Sequence, residues 1–225
     1  TITQGSFEMS PILAKWVLAK GDVTTAFSAE FRDADSPHYN VGFGKNAAGT
    51  DCQMTATEGV GTIKFWQADK SAIPGFKGRT KIFENGVPKV TVALLGDYWL
   101  FSATAGWTLP AGTKINVTYA TQTSSNNPAR DWNFEFYEDG EWKSASSELN
   151  DNGFNYAPAK TSRNVDCTFT LGKATKDVQF RMVCMGTIAI SGTDYSQDGT
   201  SMSGNMRLSG FNSSDVGDIT MKIVE

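Results

Sequence analysis

Asn164-Val165-Asp166-Cys167-Thr168-Phe169-Thr170-Leu171 puts Val165, Cys167, Phe169 and Leu171 on one side of an extended chain and Asp166, Thr168 and Thr170 on the other. A period of two held this long marks a half-buried β-strand, because successive side chains of a strand point to opposite faces. The same period recurs outward from this stretch. In Asp177–Met185, Val178, Phe180, Met182 and Cys184 alternate with Gln179, Arg181 and Val183. In Thr113–Thr121, Ile115, Val117 and Tyr119 share one face, and Lys114, Asn116 and Thr118 the other. Near the end, Ile219, Met221 and Ile223 alternate with Asp218, Thr220 and Lys222.

Turn signals separate these runs. Asn85-Gly86 lies between Thr80–Glu84 and Val87–Leu95, and Asp139-Gly140 between Asn133–Glu138 and Glu141–Ser144. Both dipeptides tolerate the two positive φ values of a type I′ hairpin. Pro88 cannot donate to a ladder, which predicts that its strand lies at a sheet edge or begins after it. Ser10-Pro11 ahead of Ile12, Leu13, Trp16 and Val17 has the form of a helix start. Trp16 and Leu18 also alternate, however, and Gly21 stops the run early, so a strand is the better reading. The longer polar stretches, Asp33–Asn40, Thr123–Arg130, Leu149–Lys160 and Ser191–Asn205, read as loops. The expected fold is all-β: a two-sheet antiparallel β-sandwich of roughly ten to twelve strands, spanning residues 1–225 as a single domain.

Composition agrees with that class. The 225 residues are enough for one sandwich with a sizeable core. A 40% apolar and 12% aromatic content excludes disorder, and 22 Gly against 7 Pro favours many turns. The net charge of −4 and a pI near 5.1 argue against a nucleic-acid partner. No run of 18 apolar residues occurs, so no membrane span is expected. The chain begins at Thr1 without Met and reads as a mature or trimmed fragment whose targeting segment has been removed. Cys52, Cys167 and Cys184 are odd in number and match no zinc spacing; buried thiols are the simplest reading. Cys167 and Cys184 are expected to point into the core from strands paired through a turn near Ala174–Lys176, more as thiols than as a disulfide.

Little in the sequence calls for catalysis. His38, the sole histidine, sits in the loop-like Ser36-Pro37-His38-Tyr39 with no nucleophile elbow elsewhere. Glu135, Glu138, Asp139 and Glu141 cluster, but Asp139-Gly140 is already explained as a turn, and flanking carboxylates keep a hairpin tip soluble. Asp33-Ala34-Asp35 and Asn150-Asp151-Asn152-Gly153 offer hard oxygen ligands without completing a calcium loop. No cofactor is expected; a structural calcium stays open, beside the commoner reading of turn-forming residues.

The aromatics are more informative. Trp132, Phe134 and Phe136 should face the core together, as should Trp99 and Phe101. Tyr39, Trp66, Trp107, Phe154, Tyr156 and Tyr195 lie in turn-rich sequence. A ring exposed beside polar loops stacks on the apolar face of a sugar, while nearby amides and guanidinium groups bond its hydroxyls. On that basis the candidate carbohydrate-binding residues are Trp66, Trp107, Tyr39, Arg130 and Tyr156, with Asn126 and Asn127 as possible partners. The competing reading is that each ring plugs a loop onto the sandwich.

Several stretches resemble one family of extracellular domains. They are Gly96-Asp97-Tyr98-Trp99-Leu100-Phe101, Pro110-Ala111-Gly112-Thr113, Trp132-Asn133-Phe134-Glu135-Phe136-Tyr137-Glu138-Asp139-Gly140-Glu141-Trp142, Val165–Leu171, Gln179–Cys184 and Ser203-Gly204-Asn205-Met206-Arg207-Leu208. The family is similar to galactose-binding-like jelly rolls. It occurs in secreted proteins and surface lipoproteins of gut Gram-negative anaerobes, often behind small immunoglobulin-like modules. The resemblance covers residues 90–225 well and the first 90 loosely, and it offers no catalytic residue to carry over. It implies a secreted or cell-surface location, as an outer-membrane lipoprotein, and a role with host or dietary glycans.

Together these readings give a non-catalytic extracellular binding module, monomeric, with a glycan as ligand. The alternatives are a structural or adhesion module that meets a surface protein, and a glycoside hydrolase, which would need two carboxylates about 5–10 Å apart in a cleft.

Overall fold

The computed structural model describes residues 2–4, 7–17, 39–40, 54–67, 83–84, 87–90, 95–195, 206–208 and 218–225. These residues contain strands and no helix. In chain order the strands are β1 (Ile2–Gln4), β2 (Phe7–Met9), β3 (Ile12–Trp16), β4 (Tyr39–Asn40), β5 (Met54–Thr55), β6 (Glu58–Gly59), β7 (Gly61–Gln67), β8 (Phe83–Glu84) and β9 (Val87–Val90). They continue with β10 (Tyr98–Leu109), β11 (Lys114–Thr123), β12 (Trp132–Glu138), β13 (Glu141–Ser144), β14 (Arg163–Thr170), β15 (Thr175–Cys184), β16 (Met206–Leu208) and β17 (Ile219–Val224).

Apart from the small β1–β2 pair, they form two antiparallel sheets. One runs β13-β12-β15-β10-β7-β4, with β5 also on β7; the other runs β6-β3-β17-β11-β16-β9-β8, with β14 on β11. The sandwich expected from the alternation is therefore present. Every strand whose alternation was read from sequence appears, and Ile12–Trp16 is a strand.

The inner faces meet through aromatic rings. Phe101 of β10 is fully buried and touches Trp16 of β3 (centroids 6.4 Å apart) and Tyr119 of β11 (5.0 Å) from the opposite sheet. Phe136 of β12 stacks on Phe169 of β14 at 4.7 Å. Each such pair adds about 0.5–1.5 kcal/mol beyond the area it buries. Trp99, Trp132 and Phe134 are buried as their spacing predicts. Gly61 is crowded on two sides: a Cβ there would stand 2.5 Å from the Ser102 carbonyl oxygen of the neighbouring strand β10 and 2.7 Å from Ala14 Cβ of the opposite sheet.

The Asp139-Gly140 turn has φ of 60° and 78°, with Glu138 opposite Glu141, as a two-residue type I′ hairpin demands. Glu84 likewise pairs with Val87 on either side of Asn85-Gly86. Two expectations are corrected. Pro88 lies within β9, between β8 and β16; it sits beyond the last β16 pair, at Lys89, so its missing N–H costs that ladder nothing. The strands of Cys167 and Cys184 do not pair. β14 joins β11, β15 joins β10 and β12, and residues 171–174 carry the chain from one sheet to the other. The corner is fixed by Leu171, which is buried and exchanges backbone bonds with Gly112 and Thr113, and by the Gly172 and Lys173 amides, which donate to Glu138 Oε2. Cys167 and Cys184 are both buried free thiols.

Candidate functional site

Because β10, β12 and β15 send Phe101, Phe134 and Phe180 inward, their odd partners in the alternation form an outer sheet face. Tyr98, Leu100, Ser102 and Thr104 of β10 lie opposite Val183, Arg181, Gln179 and Asp177 of β15. On the far side of β10, Tyr98, Leu100 and Ser102 lie opposite Trp66, Lys64 and Thr62 of β7. Asn133 and Glu135 of β12 face Val183 and Arg181, and Tyr137 faces Trp142 across the hairpin.

An aromatic cluster occupies one end of this face. The guanidinium carbon of Arg181 lies 4.8 Å from the Tyr98 ring centroid and 4.2 Å from that of Trp142. Tyr98 and Trp142 are 5.9 Å apart, and Trp142 meets Tyr137 at 5.2 Å in an edge-on arrangement. Glu135 Oε1 accepts from Arg181 Nε at 2.7 Å and contacts Nη2 at 2.5 Å, which anchors the guanidinium against the rings. Burial raises the Tyr98 phenol above its ordinary pKa, and Arg181 acts in the opposite direction. Tyr137, 43% exposed, is among the few large apolar side chains open to solvent. Next to it, Tyr137, Asp139, Lys173, Thr175, Asp177 and Gln179 line an open groove of about 470 Å³.

A second groove, of about 580 Å³, opens between β13 and β14, on strands that border the two sheets. Its walls carry Ser144, Ser146, Glu148, Asn164, Asp166 and Thr168. Much of this polarity is already committed: Asn116 Nδ2 donates to Asp166 Oδ1 (2.6 Å) and Thr168 Oγ1 (3.0 Å). Asn155 accepts from the Phe134 amide at 2.7 Å. The Cys167 thiol donates to the Ala145 carbonyl at 3.3 Å, and burial pushes it up to about 12.

The residues expected from sequence fall in several places. Trp66 is the ladder partner of Tyr98 and of Asn40, and Tyr39 pairs with Gln67; the side chains of Tyr39 and Trp66 lie outside the described residues. Trp107 stands near the end of β10, half-buried against the core. Tyr156 lines the second groove with its ring 4.8 Å from Phe134 and its hydroxyl bonded to Thr121; burial pushes its phenol up to about 12. Arg130 binds its neighbour Asp131 through Nε (2.8 Å) and Nη2 (3.1 Å). Its loop is laced to residues 188–195: Arg130 N donates to Ile188 O, Ser191 N to Asn126 O, and the Tyr195 hydroxyl to Asn127 O.

Of the four clustered carboxylates, Glu135, Glu138 and Asp139 have partners, and Glu141, exposed at the hairpin tip, makes no ion pair among the described residues. Glu135 holds Arg181, Glu138 holds Lys143 and two backbone amides, and Asp139 holds Lys173, which lowers its pKa. Asn150 caps its own turn, accepting from Asn152 and Phe154 amides, with Gly153 at φ 82°. Asp33, Asp35, His38 and Cys52 lie outside the described residues, and among the described ones no cluster of three His, Cys, Asp or Glu is placed to hold a metal.

Sequence reasoning missed Tyr98, Tyr137, Trp142 and Arg181 as a group. Each was visible as an off-core position of the alternation; what joins them is pairing between strands distant in sequence.

Neither protein-family models nor curated proteins match the chain. Solved structures similar to it include the CBM36-1 domain of a multidomain xylanase from the hindgut metagenome of Trinervitermes trinervoides. It is 13% identical, with 73% of this chain and 97% of that one covered and a TM-score of 0.33. The CBM22-1 xylan-binding domain from Paenibacillus barcinonensis is 9% identical, with 69% and 92% covered and a TM-score of 0.30. A Stig cyclase from Fischerella sp. TAU is 11% identical, with 94% and 98% covered and a TM-score of 0.33. At such scores these likenesses lend weight to no function.

Proposed function

We propose that this chain is a non-catalytic carbohydrate-binding module whose site is the outer face around Tyr98, Tyr137, Trp142 and Arg181. The observation that carries the reading is the Tyr137–Trp142–Tyr98 ring cluster, packed on Arg181 and bordered by a polar groove. Apolar ring faces beside hydroxyl, amide and carboxylate groups suit a sugar, which presents C–H on its faces and hydroxyls at its rim. Trp66 joins the site as the ladder partner of Tyr98. Trp107, Arg130 and Tyr156 act chiefly as supports for the fold, through the core packing and hydrogen bonds above. A binder that leaves its ligand intact needs no free acid pair, and Glu135, Glu138 and Asp139 are each engaged by a cation. The reading includes the secreted or surface setting in which such a module meets polymers.

The test is binding of the protein and its Trp142→Ala, Tyr137→Ala and Trp66→Ala variants to a panel of soluble and insoluble polysaccharides. Loss of one stacking ring should weaken binding roughly tenfold, since stacking contributes about a kilocalorie per mole or more. Variants that fold as the parent and bind every glycan equally well would place the site elsewhere.

A further inference from the structure

The outer face has a polarity that names the kind of sugar. One register row crosses four strands as Thr55, Thr62, Ser102 and Gln179, from β5 through β7 and β10 to β15. At its β15 end lies the groove that Gln179 shares with Tyr137. All four are neutral hydroxyl or amide side chains, and at about 4.8 Å per strand the row runs some 14 Å across the sheet. The Gln179 amide makes no hydrogen bond among the described residues, whereas the charges of this face are spoken for or balanced. Arg181 is held by Glu135, and Asp177 accepts from Thr104 at 2.9 Å. Lys64 has no ion-pair partner among the described residues, yet with Glu135, Arg181 and Asp177 it brings the rows from Tyr98 to Thr104 to zero net charge. The groove lining adds Glu138 and Asp139, each paired with a lysine, Lys143 and Lys173.

We infer that the ligand is an uncharged polysaccharide segment lying across the strands, from the Tyr137–Trp142 rings over Gln179 and Ser102 toward Thr62. This rests on the binding reading above and adds the class of ligand and its path. An anionic glycan would find no unpaired cation in that groove, whose Lys173 is held by Asp139, and an arginine already engaged through Nε and Nη2 by Glu135. Partners built on charge also weaken with salt; a row of neutral hydrogen bonds does not.

The test uses the intact chain, by calorimetry or affinity electrophoresis, against neutral β-glucan, xylan and mannan, against acidic polygalacturonate and chondroitin sulfate, and against cationic chitosan, at low and high salt. We expect binding to at least one neutral polymer, unchanged by salt, and weakened roughly two- to tenfold in Gln179→Ala and in Ser102→Ala. Trp142-dependent binding confined to acidic or cationic polymers, and weakened by salt, would overturn the inference and leave the binding reading standing. Neutral binding that needs Trp142 but ignores both row substitutions would overturn the proposed path. Binding to none of these polymers would overturn the binding reading itself and the inference with it.

Discussion

Arg181 lies over the ring of Trp142, its guanidinium carbon 4.2 Å from the centroid, although the two residues belong to strands separated by β12. The indole therefore reaches across a neighbouring strand, and Arg181 with Glu135 gives it a surface to rest on. A cation–π contact of this kind contributes about 0.5–2 kcal/mol, more as water is excluded. A double-mutant cycle with Arg181→Ala and Trp142→Ala, read by urea unfolding, should give a coupling in that range. Additive effects within a few tenths of a kilocalorie would mean that the rings are placed by the backbone alone.

High pH should unfold the protein through buried acids that burial keeps protonated: the Tyr119 phenol, raised well above its ordinary value, and two whose shifts set the onset. The Cys167 thiol goes up from about 9 to about 12, and the Tyr156 phenol from about 10 to about 12, each mainly through burial. Both stay protonated in the folded chain where the unfolded chain has already released its proton. The unfolded state then binds fewer protons, so stability is full below pH 9 and falls as pH rises from 9 toward 12. The slope is at most about 1.4 kcal/mol per pH unit for each group. Urea midpoints at stepped pH should trace that decline, and Cys167→Ala should remove its onset. The thiol should also resist modification in native protein. A flat profile between pH 9 and 11, or fast labelling of Cys167, would contradict its burial.

Two glycines of neighbouring strands separate crowding from tolerance. Gly61→Ala brings a Cβ to 2.5 Å from the Ser102 carbonyl oxygen, where backbone has to move, and should cost about 1–3 kcal/mol. Gly106→Ala meets nothing within 4 Å and should be neutral or slightly stabilising. Thermal melts of the pair give the comparison, and equal melting temperatures would mean that the sheets yield at Gly61.

Much of the fold was legible because strand alternation is local: Val165, Cys167, Phe169 and Leu171 declare one face without reference to anything else. The Asp139-Gly140 hairpin was equally local, since only its own φ values matter. What a turn does between sheets is not local. Residues 172–174, Gly-Lys-Ala, are short enough for a hairpin, and only the pairing of β14 and β15 in different sheets, with the Gly172 and Lys173 amides on Glu138, shows that they round the end of the sandwich. The aromatic outer face was hidden for the same reason. Tyr98, Tyr137, Trp142 and Arg181 span more than eighty positions of sequence, and nothing near Tyr98 announces Arg181. The rings in loop-like sequence drew attention instead, and two of them, Trp107 and Tyr156, pack on the core.

The two-residue turn at Asp139-Gly140 also bears on how such a face changes over generations. Tyr137 and Trp142 meet because Glu138 and Glu141 close the hairpin with two residues between them. A single inserted residue held in a three-residue loop would leave Glu138 opposite Glu141 and the rings together, whereas one that shifted the pairing of β13 by one place would turn Trp142 to the opposite side, since side chains alternate one by one. A shift by two would return it to the outer face against a new partner. Change at this tip is thus quantised in register: odd shifts of pairing abolish the ring pair, even ones re-match it. A lineage therefore alters the reach of this surface in steps, while the sandwich beneath is left as it was.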